Sequence, residues 1–206
     1  MIDKPFSQAC ENNKGPILKI LLEAFANTNR VLEIGSGTGQ HAVHFAANLP
    51  HLNWHTADQE DYLDGINAWI DEFPSENLHR PVKLSLPNDP WPIVNAAVED
   101  NEKANFDAYF TANTAHIMQK YQVQYMMKQV NRRLPSRGVF CQYGPFTIDF
   151  KFSSESNADF HQKLLESGRG GYRDISELEN WAPDLTLANI VNMPANNLML
   201  IWYKRL

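Results

Sequence analysis

The 206-residue sequence contains only two cysteines, no long hydrophobic run and no excess of basic residues. Cys10 and Cys141 are too few, and too far apart in the sequence, for a disulfide framework or a cysteine-based zinc site. The longest apolar run, residues 198–203, is far shorter than the roughly 20 residues of a membrane-spanning helix. Residues 1–15 lack the apolar stretch of a secretory signal. We therefore expect a cytoplasmic protein without a membrane partner.

Acidic residues outnumber basic ones, with 24 Asp and Glu against 18 Lys and Arg, which gives a net charge of −6. Binding to a nucleic-acid backbone needs a concentrated basic face. The densest basic cluster, Arg132, Arg133 and Arg137, falls where a helix is predicted to end, and cations there stabilise the helix dipole. We therefore predict no nucleic-acid partner, and the sequence leaves the oligomeric state open.

The order of hydrophobic patterns predicts one α/β domain over residues 1–206, with a mostly parallel sheet covered by helices. The last two strands, separated by the turn-rich residues 192–197, are predicted to pair as an antiparallel hairpin. Asn13 is the predicted cap of the first helix, and Met126 and Met127 are predicted core residues. Helices are predicted over residues 14–26, 40–48, 61–73, 92–103, 119–134 and 158–167 and from Asp174, and strands over 30–34, 53–57, 81–86, 106–111, 138–143, 185–191 and 198–204.

Three glycines, Gly35, Gly37 and Gly39, follow the first predicted strand and directly precede a helix. Glycine allows a sharp turn and lets a ligand approach the backbone without meeting a Cβ atom. Asp58 ends the next strand, where a carboxylate can accept hydrogen bonds from both ribose hydroxyls of an adenosine group. The spacing lacks the third glycine of a dinucleotide fingerprint, because Gln40 takes that place, and it lacks the Gly-Lys of a phosphate loop. The turn therefore predicts a nucleoside-containing cofactor of another class.

The chain resembles class I S-adenosylmethionine-dependent methyltransferases, in which such a turn opens the sheet and an antiparallel hairpin closes it. More closely, it is similar to the methyltransferase-like protein 26 family over nearly its whole length. The resemblance implies a Rossmann-like sheet of seven strands with helices on both faces. The motifs that carry it lie at residues 11–14, 32–46, 54–58, 90–91, 113–116, 143–146, 156–160 and 184–197, the last including the letters NMPANN.

The resemblance also implies roles for residues of the cofactor site. Glu33 and the turn over residues 35–39, which includes Ser36, would hold the methionine part of S-adenosylmethionine. Asp58 would hold the ribose with Gln59 beside it. Two departures from the family are visible in this sequence. The family usually has an acid in the third-strand motif, where this chain has Leu84, Ser85 and Leu86, so Ser85 and Leu86 would stand at the adenine edge without a carboxylate. Asn12 stands where the family commonly has Arg.

Residues that follow the fourth and fifth strands are the candidates for the acceptor side. Asn113 would bind a polar group of the cofactor or of the acceptor, and His116 has a suitable intrinsic pKa for a general base. Tyr143 is either part of an aromatic wall with Phe146 or a core residue. All three are alternatively ordinary loop, helix-start or core residues. No prolines follow Asn113, which argues against the motif of enzymes that methylate nucleic-acid amino groups.

Two segments, residues 1–28 and 146–173, are predicted lid or acceptor-side elements. Arg173, in the second of them, either binds an anionic acceptor or makes a structural ion pair, and we favour the structural role. His41 and His44 are one helical turn apart, but no acidic partner with metal-ligand spacing accompanies them. We predict no metal.

The leading hypothesis is methyl transfer from S-adenosylmethionine to a small or medium-sized acceptor, which is a small molecule or a protein. Because the cofactor carries the activated methyl group, the protein mainly has to align the acceptor and exclude water. One alternative is a non-catalytic S-adenosylmethionine-binding module or partner subunit. The other is a nicotinamide-dependent oxidoreductase, which Gln40 and the closing hairpin disfavour.

Overall fold

The computed structural model describes residues 4–93 and 106–205. The helices are α1 (Gln8–Ala24), α2 (Gln40–Asn48), α3 (Glu60–Glu72), α4 (Lys120–Arg133), α5 (Glu155–Glu166) and α6 (Ile175–Trp181). The strands are β1 (Arg30–Ile34), β2 (Asn53–Asp58), β3 (Leu78–Lys83), β4 (Ala108–Ala112), β5 (Val139–Gly144), β6 (Phe146–Thr147), β7 (Arg173–Asp174), β8 (Leu185–Met193) and β9 (Asn197–Lys204). Within these residues no helix is long and apolar enough to span a membrane.

Seven strands form one sheet in the order β3-β2-β1-β4-β5-β9-β8. Strands β1 to β5 pair in parallel, whereas β9 runs antiparallel between β5 and β8. The order reverses between β1 and β4, and ligands of open α/β sheets bind outside the carboxyl ends of the strands at such a point. The predicted seven-stranded, mostly parallel sheet with a C-terminal hairpin is confirmed.

Each face of the sheet is covered by its own hydrophobic cluster. One cluster packs α1, α2 and α3 against the sheet and includes Trp54 and Phe110, both fully buried. The other includes Met126 and Met127 of α4, also fully buried, so the methionine stripe is core as predicted. A sheet buried on both faces has hydrophobic strands, which is why the inner strands show no polar alternation.

The first helix begins earlier than predicted. It starts at Gln8 with Ser7 as its cap, and the Ser7 hydroxyl accepts from the backbone N–H of Cys10. Asn13 is therefore not a cap, and the prediction was wrong. It lies inside the helix, buried, with its side-chain oxygen bonded to His41 at 2.6 Å.

The third strand also differs from its prediction. It covers Leu78–Lys83 rather than residues 81–86, so Ser85 and Leu86 follow the strand instead of ending it. Pro81 lies within it, which is tolerated because β3 is an edge strand and one of its sides has no neighbour to bond. Of the helix predicted over residues 92–103, Pro92 and Ile93 are described without helical structure, and residues 94–103 lie outside the described part of the chain.

The segment after β5 contains more structure than its polar sequence suggests. Strands β6 and β7 pair in parallel beside the main sheet, and α5 lies between them in the chain. Asp174, where a helix was predicted to begin, caps α6 in a capping box with Glu177. The Asp174 carboxylate also accepts from the Thr147 hydroxyl and from the backbone N–H of Phe150. This one side chain therefore fixes both ends of the segment.

Candidate active site

A cavity of about 520 Å³ opens at the carboxyl ends of β1, β2, β4 and β5. Two parts of its wall are named here, and residues of α1 and α2 together with other residues after β4 complete the wall. The glycine-turn side consists of Gly35, Ser36, Gly37, Thr38, Asp58, Gln59 and Tyr62. The aromatic side consists of His116, Pro145, Asn157, Phe160, Tyr172, Ala195 and Asn197. The volume suits a small-molecule site.

The three glycines of the turn all have positive φ angles, of 76°, 58° and 91° for Gly35, Gly37 and Gly39. A Cβ atom on Gly37 would meet nothing within 4 Å, so its backbone is open to a ligand. Gly39 lies against α3, where a Cβ atom would come within 3.0 Å of the Cα of Ile66. The turn therefore needs glycine for two reasons, which are access at Gly37 and close helix packing at Gly39.

Gly35→Ala is expected to destabilise the fold measurably. Its φ of 76° costs a non-glycine residue about 1–2 kcal/mol, and the added Cβ would lie 2.4 Å from Cγ2 of Thr114. Thr114→Ser, which removes that methyl group, should recover the steric part of the loss in the double variant. Urea unfolding of the four proteins measures both contributions. A double variant no more stable than Gly35→Ala alone would contradict the proposed contact.

Asp58 lies where the sequence predicted, at the end of β2 on the glycine-turn side. Its Oδ2 accepts from the backbone N–H of Gly37 and its Oδ1 from that of Gln59, both at 2.7 Å. A carboxylate offers about four lone-pair sites, so two remain for ligand hydroxyls. Burial raises the pKa of the Asp58 carboxyl, while the Gly37 and Gln59 hydrogen bonds partly offset that rise. The residues present therefore fit a ribose.

Glu33 does not reach the cavity wall. It is 1% exposed, and its carboxylate accepts from the indole N–H of Trp54 at 3.0 Å. Burial raises the pKa of Glu33 to about 8, and the charge of Asp58 adds to the rise, while hydrogen bonds from Trp54 and Ser36 oppose it. Glu33 thus lies beneath the turn, outside the residues that line the cavity.

His116 lines the aromatic side and is 5% exposed. Burial lowers the pKa of His116 to about 4, and the charge of Arg169 adds to this shift, so the ring is neutral at physiological pH. Its Nδ1 is buried without a hydrogen-bond partner among the described residues. The ring centroid lies 5.9 Å from that of Phe160 and 6.3 Å from that of Tyr172. A neutral imidazole at a cavity wall can accept a proton.

The other predicted site residues divide into those on the wall and those behind it. Asn113 lines the cavity in the left-handed region, with φ of 58°, and its backbone N–H bonds to the Tyr143 carbonyl. Tyr143 is 2% exposed and belongs to the core cluster on the α1 face of the sheet. Ser85 and Leu86 do not line the cavity, and the Ser85 N–H bonds to Asp89.

The aromatic wall comes from residues that sequence reasoning did not single out. Tyr143 and Phe146 are both buried in the core, and of the predicted 143–146 wall only Pro145 faces the cavity. Phe160 of α5 and Tyr172 take that place, with ring centroids 6.2 Å apart. The sequence signal that was available is the segment over residues 146–173, which contains both Phe160 and Tyr172 and was predicted as a lid or acceptor-side element without a role for either ring.

The start of α1, within the predicted lid or acceptor-side segment 1–28, forms another part of the wall through Ser7, Ala9 and Cys10. Gln40 anchors it, because its side-chain oxygen accepts from the backbone N–H of Ser7 at 2.6 Å and its amide donates to Glu11. The residue that excluded a dinucleotide fingerprint therefore ties the first helix to the glycine turn.

A buried polar network joins the first helix to the closing hairpin beneath the cavity. Nε2 of His41 donates to the Asn13 oxygen at 2.6 Å, and the side chains of Asn13 and Asn197 lie close enough to the Tyr143 side chain to partly offset the burial that raises the pKa of Tyr143. The network connects α1, α2, β5 and β9, so it fixes the relative positions of the elements that bound the cavity.

His41 predicts a pH dependence of stability. Burial lowers the pKa of His41 to about 4, from 6.5 in the unfolded chain. The unfolded state therefore binds more protons between those values, so stability present above pH 6.5 is lost as pH falls to about 4. The loss attributable to His41 is about 3 kcal/mol. Urea unfolding across this pH range should show that the stability of His41→Gln depends less steeply on pH than that of the unmodified chain. Some pH dependence remains, because other histidines are present in both proteins. Parallel curves for the two proteins would contradict this assignment.

Arg173 is held by backbone carbonyls and, among the described residues, does not make the structural ion pair that we favoured. It is 5% exposed, and its guanidinium donates to the carbonyls of Gly170 and Gly171. The closing hairpin reaches the same segment, because Asn157 of α5 donates to the carbonyl of Asn196 at 3.1 Å.

Within the described residues, no group of three or more His, Cys, Asp and Glu is placed to hold a metal ion.

Solved structures with the same fold are methyltransferases. Human N-acetylserotonin methyltransferase, solved with SAM, superposes with a TM-score of 0.76 at 12% identity, over 97% of this chain and 53% of that one. The S-adenosylmethionine-dependent methyltransferase SibL superposes with a TM-score of 0.74 at 17% identity, over 96% of this chain and 56% of that one. PigF, solved with SAH, superposes with a TM-score of 0.74 at 14% identity, over 94% of this chain and 56% of that one. The chain spans about half the length of these proteins, and it has the class I methyltransferase fold that the sequence predicted.

A family model described as "Protein of unknown function (DUF938)" matches residues 4–204. This match covers nearly the whole chain, including every residue of the cavity wall named above. The chain therefore belongs to the DUF938 family.

Proposed function

We propose that this protein is an S-adenosylmethionine-dependent methyltransferase of the cytoplasm, acting as a single domain on a small-molecule or protein acceptor. The observation that carries the proposal is Asp58, a buried carboxylate that faces an open glycine turn with two acceptor positions free. Structural neighbours solved with SAM or SAH support it. We also propose kinship with the methyltransferase-like protein 26 family, on the motifs quoted above.

The glycine-turn side would hold the cofactor. Asp58 would bind the ribose, with Gln59 beside it, and the backbone of Gly37 would lie against the methionine part. Bound S-adenosylmethionine supplies an electrophilic methyl group on a sulfonium. Ser85 and Leu86 would contact the adenine only after a rearrangement of the loop that follows β3.

The chain's own residues would then align the acceptor and accept its proton. The acceptor atom forms a bond to the methyl carbon as the carbon–sulfur bond breaks, and the electron pair of that bond stays on sulfur. The acceptor proton passes to the neutral ring of His116, which later returns it to solvent. Asn113, fixed by its backbone bond to Tyr143, would orient either partner. Most of the rate enhancement would come from alignment and the exclusion of water.

Incubation with methyl-labelled S-adenosylmethionine and a cell extract tests catalysis. The proposal predicts transfer of label to one metabolite or protein, which stops when S-adenosylhomocysteine is added in excess. Binding of the cofactor without transfer to any acceptor would instead support a non-catalytic binding module. Tight binding of NAD would support an oxidoreductase.

A further inference from the structure

Three rings form a corner at the aromatic side of the cavity. The ring centroids of His116, Phe160 and Tyr172 lie 5.9 to 6.3 Å apart, with interplanar angles between 60° and 71°. These are the distances and tilted arrangements of favourable aromatic contacts. The three rings come from the residues after β4, from α5 and from the residues before β7, so the fold assembles the corner from distant parts of the chain.

The corner is partly open. His116 and Tyr172 are 5% and 6% exposed, whereas Phe160 is 43% exposed at the cavity mouth. A large apolar side chain that faces a cavity and remains uncovered is available to a ligand. A flat ring seated there would contact Phe160 while meeting His116 and Tyr172 at their edges or faces.

The wall around this corner is uncharged. Among the described residues that line the cavity, Asp58 alone carries a charge at neutral pH, and it lies on the glycine-turn side. Two cations lie outside this wall: the exposed Arg169, whose charge acts on His116, and the buried Arg173, which donates to the carbonyls of Gly170 and Gly171. A charged acceptor would lose its hydration at a corner whose own lining side chains carry no charge, and that loss is costly.

Polar contact on this side comes from amides. Asn157 and Asn197 line the aromatic side, and Asn113 lies next to it. The N–H groups of Asn157 and Asn197 donate within the protein, which leaves their carbonyl oxygens to accept a hydrogen bond from a hydroxyl group of a neutral molecule.

We infer that the methyl acceptor is an uncharged aromatic molecule whose hydroxyl group faces His116, a conclusion that rests on the proposed function. The hydroxyl oxygen forms the bond to the methyl carbon, and the hydroxyl proton passes to His116. The product is a methyl ether, so the reaction removes a hydrogen-bond donor from the acceptor. Phe160 and Tyr172 then determine specificity by contact with the ring.

Four naphthalene probes with one substituent at the same ring position test the inference by calorimetry. Naphthol is neutral and aromatic, naphthoate is anionic, naphthylmethylammonium is cationic, and decahydronaphthol is neutral but saturated. The chain is first saturated with S-adenosylhomocysteine, so that the probes meet only the aromatic side. We expect naphthol to bind at least about tenfold tighter than each of the other three.

Two variants distinguish binding at this corner from nonspecific binding to exposed apolar side chains. Phe160→Ala should weaken naphthol binding by on the order of tenfold and leave the affinity for S-adenosylhomocysteine unchanged. Phe150→Ala is the matched control, because Phe150 lies in the same segment, is 71% exposed and does not line the cavity. It should bind naphthol like the unmodified chain.

The outcomes separate the two proposals. Equal binding of naphthol and a charged probe, equal effects of the two variants, or no probe binding to the chain saturated with S-adenosylhomocysteine would overturn the inference and leave the proposed function standing. Failure of S-adenosylhomocysteine itself to bind would overturn both.

Discussion

Asp58→Ala is expected to weaken binding of S-adenosylhomocysteine by roughly 10- to 150-fold. The carboxylate is buried, and its two backbone hydrogen bonds leave two positions for the ribose hydroxyls. Each charge-assisted hydrogen bond contributes about 1.5–3 kcal/mol, and one such contribution corresponds to this range of affinity. Calorimetric titration of the two proteins measures the difference directly.

The matched control is Asp61→Ala. Asp61 carries the same charge in the first turn of α3, three residues along the chain, but it is exposed and does not line the cavity. Its replacement should leave the affinity unchanged. Because Asp58 also holds the Gly37 N–H, thermal unfolding of Asp58→Ala must show that the variant remains folded. An affinity within about twofold of the unmodified chain would mean that Asp58 is not the ribose contact.

His116→Gln is expected to lower the rate of methyl transfer by about 100-fold, the low end for a general base, because burial lowers the pKa of His116 to about 4 and makes it a weak base. Glutamine keeps hydrogen-bonding atoms at the cavity wall but cannot accept a proton. The affinity for S-adenosylhomocysteine should remain unchanged, because His116 belongs to the aromatic side. His51→Gln, at an exposed histidine outside the cavity, is the control for loss of an imidazole.

The pH profile separates a base from a structural residue. Since burial lowers the pKa of His116 to about 4, the rate should stay constant as pH falls from about 8 to about 5. It should fall only as pH approaches 4, when the ring becomes protonated. A histidine with its ordinary pKa would already lose activity near pH 6.5. A rate of His116→Gln equal to that of the unmodified chain would exclude His116 as the base.

The cofactor side could be predicted from the sequence because its signals are local. A buried strand, three glycines and a helix follow one another within residues 30–48, and Asp58 ends the next strand. The right-handed crossover rule then brings the ends of β1 and β2 together without further information. Each residue type has a direct physical reason, such as the positive φ at Gly37.

On the acceptor side, His116 and the segment over residues 146–173 could be predicted, but the rings of Phe160 and Tyr172 could not, because they come from a segment without a hydrophobic period. These two rings meet His116 only in the folded chain, where α5 and the residues before β7 lie beside the residues after β4. The start of α1 at Gln8 could not be predicted from the sequence either. A helix that starts at Lys14 places Pro16 in the first turn, where its missing N–H costs nothing. Tertiary anchoring by Gln40 instead extends the helix back to Gln8, so that Pro16 lies inside it.

The most direct test of the proposed cofactor site is a crystal structure of this chain with S-adenosylhomocysteine. We expect the ribose hydroxyls on the Asp58 carboxylate, the methionine part against the backbone of Gly37, and the sulfur directed toward the aromatic side. A ligand bound elsewhere, or bound in this cavity without a contact to Asp58, would contradict it.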